Sequence, residues 1–279
     1  MCRMSALAAT ALALALTSVG ASPALAFPFG KGADKAPAAE KPAAAAPAPR
    51  KATAQERAQI ARLDPLARAA FWAHEAELDP NDVDAGVKLS QALRQMGNYG
   101  DAMQAAERTL IVAPNNVEAL LEVARSQVGR GQGFYAIEPA RQAQALSPRD
   151  WRIPSLLGIA YEQASRFEEA RAAHEQALAL APHNATALRN YALFRAGRGE
   201  TSQAEAMLRQ AAALPDATIA VRQNLALVLG LQGRMAEAER LARQDLPPQE
   251  VENNLAWLRA ATLPASSAAG RSWESLRQP

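Results

Sequence analysis

The sequence predicts an all-α solenoid built from stacked helix–turn–helix units. Prolines fall at Pro80, Pro114, Pro148 and Pro182, 34 residues apart each time, and Pro215 continues the series with a slip of one. Between them the composition is rich in Ala and Leu, with only 5% aromatic residues, so helix formers abound and strand formers are sparse. A proline inside a helix removes a hydrogen bond and clashes with the preceding turn, at about 3 kcal/mol. The stretch EQALALAPHNATALRNYALF, residues 175 to 194, is therefore two helices divided by Pro182. Recurrence at a fixed interval makes that break the boundary of a repeating unit.

Taken in order, residues 1–26 carry Arg3, the apolar run ALAATALALAL and the ending Ala24, Leu25, Ala26. Charge, short apolar stretch and A-x-A ending read as a secretory signal peptide cleaved after Ala26, with an uncleaved N-terminal anchor as the alternative. The run is too short for a comfortable membrane span. Cys2, the only cysteine, precedes the apolar run, so it cannot be a lipoprotein's acylated residue and leaves with the peptide. Residues 27–55 begin FPFGKGADKAPAAEKPAAAAPAPRKA, an Ala/Pro-rich linker with too little apolar surface to offset ordering.

The solenoid is expected over residues 56–262, as about five to six repeats, followed by a tail over 263–279. Thr53 with Glu56 has capping-box spacing, and Asp64 before Pro65 gives an N-cap and a first-turn proline. Asn116, Asp150 and Asn184 follow the repeat prolines and cap the next helix, while Ser165 with Glu168 and Ser202 with Glu205 have capping-box spacing before second helices. Pro139 falls inside an expected second helix and predicts a kink or a late start there.

Small and apolar residues recur in register. One unit carries Leu157, Gly158, Tyr161, Phe167, Ala170 and Ala177 before Pro182, and its neighbours carry Gly97, Ala102, Gly131, Ala136, Gly199, Ala204, Gly233 and Ala238 at matching places. Ala170 lets the second helix approach the first where Gly158 sits, and Leu157, Tyr161 and Phe167 fill the adjacent space. A single pair has too little core, so each unit depends on its neighbours.

Chemistry-bearing patterns are sparse. His74, His174 and His183 are far apart and in no metal-ligand spacing, so each reads as a surface or boundary residue. The segment GRGQG at 129–133 lacks the strand before it and the Lys-Ser/Thr after it that a phosphate loop requires, and Ser5, Ser18 and the tail serines lie in no nucleophile elbow. The formal charge is only +2, and nothing in it favours a nucleic acid, which would want a clustered basic face. The reading is non-enzymatic, without cofactor or metal.

The remaining feature is the concave face that first helices form in a solenoid, suited to an extended peptide or a partner's helix. Register places Lys88, Gln91, Arg94, Gln95, Glu122, Arg125, Arg152, Glu162, Arg189, Asn190, Gln223 and Asn224 there, and Asn190, Asn224 and Asn254 open the matching phrases NYALF, NLALV and NLAWL. Trp72, Trp151 and Trp257 read as packing residues, with Trp273 and Leu276 of the tail folding back over the last helix.

The 34-residue unit with these small residues resembles the tetratricopeptide repeat, which implies a right-handed superhelical solenoid. In peptide-binding domains of that kind an asparagine at the Asn190 and Asn224 position can grip a ligand's backbone; the alternative is a bond to a neighbouring helix. The order of features is also similar to the TadD-like proteins of Tad/Flp pilus assembly: an exported N-terminus, LDPLARAAFWAHEAELDP, the repeats, VRQNLALVLGLQGRMAEAE, NNLAWLRA and a short RSWESL tail. That likeness implies a periplasmic adaptor for a pilus or secretion component, associated with the outer membrane through a partner. The absence of a lipobox cysteine departs from the family pattern. A general envelope scaffold for cell-wall or polysaccharide synthesis meets the same sequence requirements.

Overall fold

A computed structural model describes residues 50–262, which form thirteen α-helices and no strand. The expected signal peptide, most of the expected linker and the tail with Trp273 and Leu276 lie outside the described residues. Helices α1 (Ala54–Ile60) and α2 (Pro65–Leu78) precede five pairs. These are α3 (Val83–Gln95) with α4 (Tyr99–Val112), α5 (Val117–Gly129) with α6 (Gly133–Leu146), and α7 (Arg152–Gln163) with α8 (Phe167–Leu180). Then come α9 (Ala185–Gly197) with α10 (Thr201–Ala212) and α11 (Ile219–Leu231) with α12 (Met235–Ala242), and α13 (Pro248–Thr262) closes the series.

Both ends of most first helices are written into the repeat. At the start, the side chains of Asp82, Asn116 and Asn184 accept from the backbone N–H of Ala85, Ala119 and Ala187 at 2.8–2.9 Å, and Asp150 accepts from that of Arg152 at 3.0 Å. At the end, Gly97, Gly131, Gly199 and Gly233 adopt φ of +72° to +81°. Each begins a Schellman turn, in which its own N–H and the next one return to carbonyls of the last helical turn.

Ser165 occupies the same place in the middle pair, with φ +59°, and its N–H reaches Glu162 O at 2.9 Å while that of Arg166 reaches Tyr161 O at 2.8 Å. It ends α7 rather than capping α8, whose N-cap is Arg166 with no side-chain bond. Ser202 likewise sits inside α10, after the N-cap Glu200. The expected capping boxes at these two serines are thus absent, because the Schellman turn runs straight into the second helix and leaves no extended N-cap residue. The Thr53 box and the Asp64 cap do form. Helix α6 starts in register at Gly133 and continues through Pro139, so no late start occurs. The carbonyl left without its helical donor belongs to exposed Tyr135 and can bond water.

Within each pair the helices meet at small residues. Ala102, Ala136, Ala170, Ala204 and Ala238 are all buried, and Ser90 Oγ of α3 donates to Ala102 O at 2.7 Å across the first crossing. First helices touch the first helices on either side, whereas among the described residues no second helix reaches the next second helix. The first helices therefore form the inner, concave layer and the second helices splay around it. Two apolar clusters fill the space between the layers, one centred on α5–α8 and one on α9–α13.

The middle pair departs from the expected packing. A β-carbon on Gly158 would lie 2.5 Å from His174 Cε1, so the group above this glycine is an imidazole rather than Ala170. His174 is a core residue, not a boundary one: it is 1% exposed, stacks on Tyr191 at 5.5 Å and lies 5.4 Å from Phe194. Neither ring nitrogen has a hydrogen-bond partner, and burial pushes its pKa down to about 4. The register equivalents in the neighbouring pairs are Ala140 and Leu208, both buried. Gly158 is the volume concession that admits the larger ring.

Two outcomes are expected. Ser165→Gly relieves left-handed strain and raises stability by about 0.5–1 kcal/mol in urea melts, since the other four turns already carry glycine there. Because the folded pKa of His174 is depressed, the unfolded chain takes up a proton that the folded chain refuses as pH falls below 6.5. Stability present above that pH then declines toward pH 4 by about 3 kcal/mol. His174→Leu should flatten that part of the profile; an unchanged pH slope would contradict the assignment.

Candidate protein-docking groove

The concave layer carries a groove of about 490 Å³ along α3, α5, α7 and α9. Its floor is apolar, from Val128, Trp151, Leu156 and Ile159, and its walls carry four arginines, Arg94, Arg125, Arg152 and Arg189, one from each of these helices. These side chains converge because the 34-residue period stacks equivalent helical faces, and on each helix positions three or four apart share one face.

Three of the four arginines belong to a ladder of ion pairs. Glu122, wholly buried, accepts from Arg94 Nε at 2.7 Å and from Arg125 Nη1 at 2.6 Å. Glu118, one turn earlier on α5, pairs with Arg125 at 3.9 Å and receives Arg152 Nη2 at 2.5 Å. Arg152 also binds Asp150 at 2.6 Å, which holds that carboxyl below its usual range. The ladder links α3, α5 and α7 and contains three arginines and three carboxylates.

Arg189 differs. Its Nη2 and Nε donate to Asn190 Oδ1 at 3.0 and 3.3 Å, and among the described residues it pairs with no carboxylate. Asn190 Nδ2 in turn donates to Ser155 Oγ of α7 at 3.0 Å. Burial pushes the Arg189 pKa down. Ser155 is bonded to an amide, not to a base that could activate it.

The groove brings together Arg94, Arg125, Arg152, Arg189 and Asn190, with Glu122 beneath Arg94 and Arg125. Asn190 takes the bond to a neighbouring helix that its position left open as an alternative. Lys88 lies outside, half exposed, 3.5 Å from Asp84 and over the Trp72 ring at 5.6 Å, and Gln91 is outside as well. Gln95 accepts from Arg68 and Glu162 is half buried, its carboxyl pushed up by burial.

Gln223 and Asn224 line a different cavity, about 210 Å³, with Asn254, Leu227 and Trp257. It lies between α11, α12 and α13, where α12 has only eight residues, against twelve to fourteen in the other second helices. Trp72 is buried as a packing residue, but Trp257 is 59% exposed at the cavity rim and is not one. Trp151, Ser155, Ile159 and Thr186 line the groove although their residue types alone do not mark them as contact residues. The signal that finds them is register: Arg152 and Thr186 are equivalent positions, as are Ser155 and Arg189.

Comparison with known proteins agrees with this geometry. Residues 155–188 match the tetratricopeptide repeat family. A stretch of 93 residues is 29% identical to the BBSome complex member BBS4 of Mus musculus, over 33% of this chain and only 18% of that protein's length. A thermophilic tetratricopeptide-repeat protein of Thermus thermophilus superposes with a TM-score of 0.58 at 27% identity, over 64% of this chain and 99% of that one. The human IFIT1 dimer with m7Gppp-AAAA superposes at 0.53 and 18% identity, over 70% of this chain and 50% of that one, a likeness of fold alone. With helix pairs of one register on both sides of the matched unit, the described residues form an all-α solenoid of tetratricopeptide type.

Proposed function

We propose that this chain is a non-enzymatic adaptor, exported to the periplasm, whose groove docks a component of a Tad/Flp-type pilus or secretion apparatus. The observation that carries the docking role is the groove itself, with an apolar floor and charged walls built from four successive first helices. Such a surface offers burial to an extended segment while the ion-pair ladder holds the walls in place before the partner arrives. Tetratricopeptide solenoids serve as protein-interaction scaffolds, which supports the role. Export rests on the signal-like residues 1–26, and the pilus apparatus rests on the likeness of the phrases VRQNLALVLGLQGRMAEAE and NNLAWLRA.

Affinity capture from the cell envelope with the mature chain tests the reading. Ile159→Glu, half buried in the groove floor, serves as the comparison. Pilus or secretin components should be retained by the parent chain and lost by the variant, with the far-UV helical signal unchanged. Recovery of cell-wall or polysaccharide synthesis proteins instead would replace the pilus role with the envelope-scaffold role. Equal capture by both chains would overturn the groove assignment.

A further inference from the structure

The groove is charge-balanced everywhere except at one place. Arg94, Arg125 and Arg152 are matched by Glu122, Glu118 and Asp150, whereas Arg189 has only the amide oxygen of Asn190. A guanidinium has five N–H donors, and here two engage that single oxygen. Taking a charge partly out of water without a counter-charge is unfavourable, and the lowered pKa of Arg189 expresses it. The guanidinium is nonetheless held: Ser155 fixes the Asn190 amide, and the amide oxygen orients Arg189. An oriented, desolvated and uncompensated arginine in a docking groove is a preformed seat for an anion.

We infer that Arg189 seats a glutamate or aspartate side chain of an acidic segment of the partner, running along the groove across α7 and α9. This rests on the docking role proposed above and gives it a ligand chemistry. Arg152 lines the same groove but its Nε and Nη2 are taken by Asp150 and Glu118, so the open positive charge is that of Arg189. A side chain rather than a chain end is favoured by position. The groove continues past Arg189 in one direction to Arg125 and Arg94, and α11 extends the same concave layer in the other.

The test uses the full chain and fluorescently labelled peptides with both ends blocked, one alternating serine and glutamate, the other serine and glutamine. The glutamate peptide should bind, more weakly at high salt, and Arg189→Gln should weaken it about tenfold or more while leaving the helical signal intact. Binding of the glutamate peptide that is indifferent to Arg189→Gln, or no binding, would overturn the inference. A glutamine peptide with a free carboxyl terminus that binds as tightly would overturn it in favour of a chain end. The two readings fail separately. If Ile159→Glu abolishes envelope capture but the glutamate peptide does not bind, the groove stands and the carboxylate seat falls; if capture survives Ile159→Glu, the groove falls first.

Discussion

The close approach of two helices at an alanine is the contact on which the rest of this molecule depends. Ala102, Ala136, Ala170, Ala204 and Ala238 are fully or almost fully buried, and a larger side chain at any of them would push a second helix off its first. The crossing fixes how each pair presents its first helix to the next. Repeated at one register, it sets the first helices side by side as a concave layer. Each pair alone is too small to hold a core, so stability is shared between neighbours. The exception at Gly158 and His174 obeys the same volume constraint, with the smallest residue set opposite one of the largest.

On that scaffold the charges are arranged with different consequences at different places. Glu122 is wholly buried and accepts from two arginines, so each arginine still compensates the buried carboxylate if the other is removed, and only loss of both leaves it unpaired. The ladder it anchors ties α3 to α5 and, through Glu118, to α7. A groove with rigid walls loses little freedom on binding, which links this packing feature to the docking role. Arg189 forms no such pair among the described residues, and the seat proposed for a partner's carboxylate rests on that contrast. At the other end Arg57 joins buried Glu75 of α2 to Asp82, the cap of α3, and so fastens the first helices of the chain to the stack.

Much of the fold was legible because its punctuation is local. Proline, an N-capping Asp or Asn and a turn glycine each act through their own backbone, so their 34-residue recurrence could be read directly. Ser165 misled for the same reason: its spacing to Glu168 fits a capping box, but register places it where the chain must turn through positive φ. His174 and Trp257 were legible in the register and were missed: His174 lies between Ala170 and Ala177 on the buried face of α8, in register with buried Ala140 and Leu208, and the phrases NLALV and NLAWL align Trp257 with Leu227, which lines the same cavity. The candidate site was legible in part, since register put five of the expected residues in one groove. Their electrostatics were not, because Arg94 meets Glu122, and Arg152 meets Glu118, across neighbouring helices 28 and 34 residues apart.

The central claim is that a 34-residue register of small-residue crossings builds the solenoid and hence its inner face. Hydrogen exchange on Ala170→Leu tests it most directly. The account predicts faster exchange in α7 and α8 and in the flanking α5 and α9, with α3 and α13 protected as before, since each pair leans only on its neighbours. Unchanged protection in α7 and α8 would contradict the crossing at Ala170, and uniform loss from α2 to α13 would contradict nearest-neighbour stacking.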